Sequence, residues 1–96
     1  MANAKEGQPA FIVPQATLTD RYRITIPAQF RNRYGIGEGD VVDVLIEREG
    51  RENVICLDMV VDDSGRVTVR RQKVDIYALD PGEYPINVSL TGRTVE

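Results

Sequence analysis

The chain has no histidine, no tryptophan, one cysteine and only two lysines among its 96 residues. Without His, and with Cys56 set in an apolar stretch, the usual tetrahedral zinc ligand sets cannot be assembled. A single cysteine also rules out an internal disulfide framework and fits a reducing, cytoplasmic setting. No apolar run approaches the ~20 residues of a membrane-crossing helix, and the opening Met-Ala-Asn-Ala-Lys-Glu-Gly-Gln has no apolar signal core. Gly37, Gly39 and Gly82 lack the spacing of a phosphate-cradling loop and read as turn glycines. No nucleophile-base pair stands out either, so nothing supports an enzyme and no cofactor is expected.

What the chain does contain is a unit written twice. Arg-Ile-Thr-Ile-Pro at 23–27 returns as Arg-Val-Thr-Val-Arg at 66–70. At a constant offset of 43, identities fall at Asp20/Asp63, Arg23/Arg66, Thr25/Thr68, Gln29/Gln72, Tyr34/Tyr77 and Gly39/Gly82. Leu18/Val61, Ile24/Val67, Ile26/Val69, Ile36/Leu79 and Asp40/Glu83 are close replacements. Units of about forty residues bury too little apolar surface to stand alone, which favours pairing them within one domain.

The formal charge of −3 argues against nucleic acid, but its distribution argues for it. Arg21, Arg23, Arg31 and Arg33 form one cluster with no acid among them, and Arg66, Arg70, Arg71 and Lys73 form another. The two occupy the same place in the two repeats. Acids gather downstream, from Glu38 to Glu52 and from Asp75 to Glu83. Fields are screened over about 8 Å at physiological ionic strength, so a phosphate backbone senses a local face and not the net charge. Arginine suits such a face because its planar fork matches phosphate or the O6/N7 edge of guanine. Solvated or salt-bridged arginines are the competing reading, most evenly balanced at Arg31 and Arg33. Asp20 and Asp63 read as residues that shape a turn or orient a neighbouring Arg.

Residues 1–15 read as a flexible leader, with Phe11-Ile12-Val13 as an edge strand or tether before Pro14, and 16–96 as one domain of two pseudo-repeats, about 16–47 and 59–90. Ala16–Asp20 and Arg23–Ile26 read as a hairpin, Pro27 as the start of a short helix over 28–34 closed by Gly35, and Val41–Ile46 as a strand. Val54–Val61 and Arg66–Val69 are strands in the second half. Its helix signal is weak, because no proline starts it and Val74 and Ile76 alternate as in a strand. Ile86, Val88 and Leu90 alternate in a last strand, placed over Val42, Val44 and Ile46. Phe30, Tyr34 and Tyr77 read as core, and Tyr22 as either turn packing or an exposed aromatic near a groove.

The string from Ala16 to Asp40, followed by alternating valines, resembles the AbrB-type swapped-hairpin domain, a family that includes AbrB-like regulators, SpoVT-type regulators and MazE-type antitoxins. Arg23, Ile24, Ile26, Pro27, Arg31, Gly35, Gly39 and Asp40 carry the resemblance; Tyr22 stands where the family usually has Gly, and Tyr34 where it usually has Leu. The resemblance implies a mainly β fold with one or two short helices, a swapped-hairpin β-barrel formed here by an internal pseudo-dimer. It also implies a DNA-binding face lined by the basic residues of both copies, Arg21, Arg23, Arg31 and Arg33 with Arg66, Arg70, Arg71 and Lys73. Arg70 replaces the proline and Val74 lies over Arg31, so that face is expected to be asymmetric. The implied function is a sequence-tolerant transcriptional regulator on double-stranded DNA, acting as a closed pseudo-dimeric monomer or a homodimer. The alternatives are an antitoxin that binds a toxin partner and its own promoter, and a protein-interaction module that has lost DNA binding.

Overall fold

The computed structural model describes residues 10–92. Six strands and two helices follow in the order β1 (Ala10–Leu18), β2 (Arg23–Thr25), α1 (Ala28–Tyr34), β3 (Val41–Ile46), β4 (Val54–Val60), β5 (Arg66–Thr68), α2 (Arg71–Tyr77) and β6 (Gly82–Gly92). All pair antiparallel in one sheet of order β4-β3-β6-β1-β2-β5. The Asp62 N–H donates to the Arg66 carbonyl at 2.9 Å, linking the ends of β4 and β5 and nearly closing the sheet into a barrel.

The interior follows from period-two alternation: Val42, Val44 and Ile46 of β3 and Ile86, Val88 and Leu90 of β6 are buried, as are Val13, Leu18, Ile24 and Val67. Their neighbours along each strand face outward. α2 packs against β4, and α1 lays its aromatic residues against β1. Phe11 stacks on Phe30 (5.2 Å between centroids) and on Tyr34 (4.5 Å), so the helix aromatics pack as core residues.

The pairings repeat. Phe11, Ile12, Val13, Ala16 and Thr17 of β1 face Val88, Asn87, Ile86, Tyr84 and Glu83 of β6; Val54, Ile55, Cys56, Met59 and Val60 of β4 face Ile46, Leu45, Val44, Val42 and Val41 of β3. The first strands match at an offset of 43 and the last strands at 42. Both ladders slip at the same place, after Val13 and after Cys56.

Two expectations are corrected here, and a segment that the sequence left open between helix and strand is resolved. Residues 10–15 are not a leader: β1 begins at Ala10 and lies between β6 and β2, and Phe11-Ile12-Val13 is a paired strand. Pro14 was a misleading stop signal, because it falls at the bulge where the ladder is already interrupted and no donor is missed. Residues 1–9 of the expected leader lie outside the described residues. The last strand, expected two residues away, places Ile86 over Val44 and Val88 over Ile46. Alternation cannot distinguish these registers, because a shift of two returns every side chain to the same face. Finally, residues 71–77 form a helix despite their strand-like pattern: Val74 is buried but Ile76 is exposed. Arg70 at φ −66°, ψ 143° reproduces the backbone of Pro27 at φ −57°, ψ 145°, so the helix starts without proline.

Candidate nucleic-acid interface

β2 and β5 lie side by side with Arg23 opposite Thr68, Ile24 opposite Val67 and Thr25 opposite Arg66. Ile24 and Val67 are buried, so Arg23, Thr25, Arg66 and Thr68 all project from the outer face. The two arginines are diagonal neighbours, a relation that sets Cβ atoms about 7–8 Å apart. The ladder continues at both ends: the Ile26 N–H donates to Gly65 O at 2.9 Å and the Val69 N–H to Tyr22 O at 2.8 Å. Equivalent arginines of the two halves therefore meet on one surface because β2 pairs with β5 and not only with its own hairpin partner.

Each arginine is presented by a turn built on the residue four before it. In the first half, Thr19 Oγ1 accepts the N–H groups of Arg21 (3.3 Å) and Arg23 (3.2 Å). In the second, Asp62 Oδ1 accepts those of Ser64 (2.8 Å) and Arg66 (2.9 Å). The turn-shaping role expected of Asp20 and Asp63 thus falls one residue earlier. The signal was present as Thr19-x-Arg21 and Asp62-x-Ser64, the side-chain-to-backbone pattern two residues on.

This exchange of Thr for Asp makes the face asymmetric. Asp62 Oδ2 meets Arg66 Nε at 3.2 Å, with both side chains about a third exposed. Its carboxyl is held below the usual carboxylate range, first by the Arg66 N–H and further by the Ser64 N–H and the Arg66 guanidinium. Among the described residues only Nε of Arg66 is engaged, which leaves its terminal nitrogens available. Arg23 has no ion pair among the described residues, because a neutral Thr19 stands where Asp62 does.

Arg31 is fixed by the fold. Its Nε donates to the Ile26 carbonyl at 2.8 Å, and its side chain lies across Gly65, where an added Cβ would sit 2.4 Å from Arg31 Cζ and Nε. Gly65 has φ +78°, a left-handed conformation suited to glycine. In the other half Tyr22, at φ +61°, takes the place of Gly65, and Val74 takes that of Arg31. Tyr22 is half-buried and packs against the core, which settles it as turn packing. The two departures from the repeat fall at corresponding positions, Arg31 over Gly65 in one pair and Val74 with Tyr22 in the other.

The remaining basic residues are dispersed. Arg21 is exposed in the hairpin turn beside Arg23, and Arg33 is exposed in the last turn of α1, its guanidinium 5.9 Å from the Tyr34 ring centroid. Arg70 and Arg71 are exposed at the start of α2, and Arg71 meets Asp75 at 3.4 Å, a solvated pair of small energetic weight. Lys73 lies 5.6 Å from the Tyr77 ring centroid and, with Arg70, lines a small cleft against Cys56, Leu57 and Met59 of β4. It therefore stands apart from the β2–β5 surface. Arg48 and Arg51, which no sequence pattern marked, donate to the Tyr77 carbonyl and cap the end of α2.

Residues 15–55 match the family model described as antidote-toxin recognition MazE, bacterial antitoxin. The solution structure of PHS018 from Pyrococcus horikoshii shares the fold, with a TM-score of 0.70 and 28% identity over 91% of this chain and 94% of that one. No curated protein matches the chain. Residues 15–55 thus resemble an AbrB/MazE-type segment, within a mainly β barrel that extends over both halves of the chain.

Proposed function

We propose that this protein is a non-enzymatic, cytoplasmic regulator that binds double-stranded DNA through the outer face of β2 and β5, with the two halves of the chain acting as an internal pseudo-dimer. The observation that carries this reading is the juxtaposition of Arg23 and Arg66 across the β2–β5 ladder, with Arg21 beside them. Arg23 and the terminal nitrogens of Arg66 contact phosphate or guanine, while Arg31 holds the surface in shape. Arg33, Arg70 and Arg71 serve as peripheral phosphate contacts. So few cations give modest affinity with a steep salt dependence, and DNA shape carries much of any selectivity.

Fluorescence anisotropy on a random duplex at about 50 and 200 mM salt tests this. Arg23→Ala is expected to weaken binding and lower the salt slope by about 1, and Arg66→Ala to do so less, since Asp62 already offsets part of its charge. Equal binding by wild type, Arg23→Ala and Arg66→Ala at low salt would refute the assignment.

The MazE match supports a second reading, an antitoxin that also binds a toxin. Co-purification of a small basic partner that leaves Arg23→Ala binding unchanged would favour it.

A further inference from the structure

The β2–β5 wall has two unlike ends. Because the strands run antiparallel, each end joins the turn of one half to the chain leaving the strand of the other. At the first end Tyr22 O accepts the Val69 N–H at 2.8 Å, and at the second Gly65 O accepts the Ile26 N–H at 2.9 Å. From Tyr22 to Ile26 the strand advances about 13 Å. Charges are screened over about 8 Å at physiological ionic strength, so a duplex laid along the wall meets the two ends separately.

At the first end Arg21 is exposed and Arg23 half-buried, and Asp20 is the carboxylate of the turn. Arg70 is exposed and follows directly on Val69, so it flanks this end on the side of β4, where it also borders the cleft with Cys56. At the second end the matching turn carries both Asp62 and Asp63, with Ser64 in place of Arg21 and Pro27 in place of Arg70. Its cations are engaged within the fold: Arg66 Nε meets Asp62 Oδ2 at 3.2 Å, and Arg31 Nε donates to the Ile26 carbonyl at 2.8 Å. In sequence Arg70 belongs to the second repeat and offsets the Arg21 of the first. In the fold the antiparallel pairing puts the two at the same end, and the charge differences between the repeats add.

Turn geometry does not account for the difference, since Thr19 Oγ1 and Asp62 Oδ1 accept the same pair of backbone N–H groups. Resting on the reading of this wall as a DNA surface, we infer that its phosphate grip is one-ended: Arg21, Arg23 and Arg70 hold the backbone, and Asp62 and Asp63 keep it away from the second turn. The protein then sits on DNA displaced from its pseudo-dyad and in one polarity, which suits sites without inverted-repeat symmetry.

The test uses the full chain. Asp20→Cys and Asp63→Cys each remove one carboxylate at matching exposed positions and take the same thiol-linked photo-crosslinker, while Cys56 stays buried. On a random duplex at about 50 mM salt, position 20 should crosslink several-fold more than position 63. Asp62→Thr/Ser64→Arg gives the second turn the residues of the first; it should equalise the two yields, tighten binding about tenfold near 100 mM salt and steepen the salt slope by about 1. The converse exchange, Thr19→Asp/Arg21→Ser, should weaken binding by a similar factor. Equal yields from positions 20 and 63 in the otherwise native chain, or unchanged affinity after both exchanges, would overturn the one-ended grip while leaving DNA binding intact. Neither crosslink nor binding in any form of the protein would sink the DNA reading itself, and this inference with it.

Discussion

Replacing Gly65 by Ala tests whether Arg31 braces the interface between the halves. An Ala Cβ at this position would lie 2.4 Å from Arg31 Cζ and Nε and 2.7 Å from Cδ. The long side chain can swing away, but doing so breaks the 2.8 Å bond from Nε to the Ile26 carbonyl. Losing a hydrogen bond made by a charged donor costs about 1.5 kcal/mol at the lower end of its range, appropriate to a half-buried site. Holding Ala at φ +78° adds about 1–2 kcal/mol, partly offset by about 0.5 kcal/mol from the stiffer unfolded chain. The net cost is about 2–3 kcal/mol, a fall in Tm of roughly 10–20 °C for a domain of this size. Urea unfolding with an unchanged m-value is the assay. In an Arg31→Ala background the steric part vanishes, and Gly65→Ala should cost only about 1 kcal/mol, leaving a coupling near 1.5 kcal/mol. A coupling below about 0.5 kcal/mol would show that Arg31 does not lie over Gly65.

Other outcomes follow from the same geometry. The carboxyl of Asp62 titrates lower folded than unfolded, so its contribution is present above the unfolded value near 3.9 and is lost as pH falls through the folded one. Asp62→Asn should therefore flatten the loss of stability on acidification below about pH 4, measured by urea midpoints against pH, and no flattening would mean the pair is idle in solution. Phe11→Ala removes a 7% exposed ring stacked on both Phe30 and Tyr34 and should cost about 3–4 kcal/mol in urea unfolding. Burial raises the Cys56 thiol above its ordinary value despite the nearby charges of Lys73 and Arg70. In the native protein it should resist alkylation near pH 8 and react on unfolding, as followed by intact mass.

Local patterns were legible where local forces decide. Pro27, the Phe30/Tyr34 spacing and Gly35 at φ +67° specify α1 as read, and alternation in β3 and β6 gives their buried faces. The start of β1 and the register of β6 were not legible, since a proline at a bulge looks like a strand end and alternation repeats every two residues. Nor was α2, where burial of Val74 against the barrel outweighs a pattern shared with strands.

The same division holds for the candidate site. The sequence by itself determined which residues are equivalent, because a repeated turn and strand pattern places Arg23 and Arg66 in matching local structure wherever the halves end up. Whether equivalent residues meet was decided only by the tertiary pairing of β2 with β5, formed across 43 residues of chain by burying Ile24 and Val67 together. That pairing sets two arginines on one wall. It also turns Arg31 inward onto Gly65, a contact between halves that no local pattern encodes.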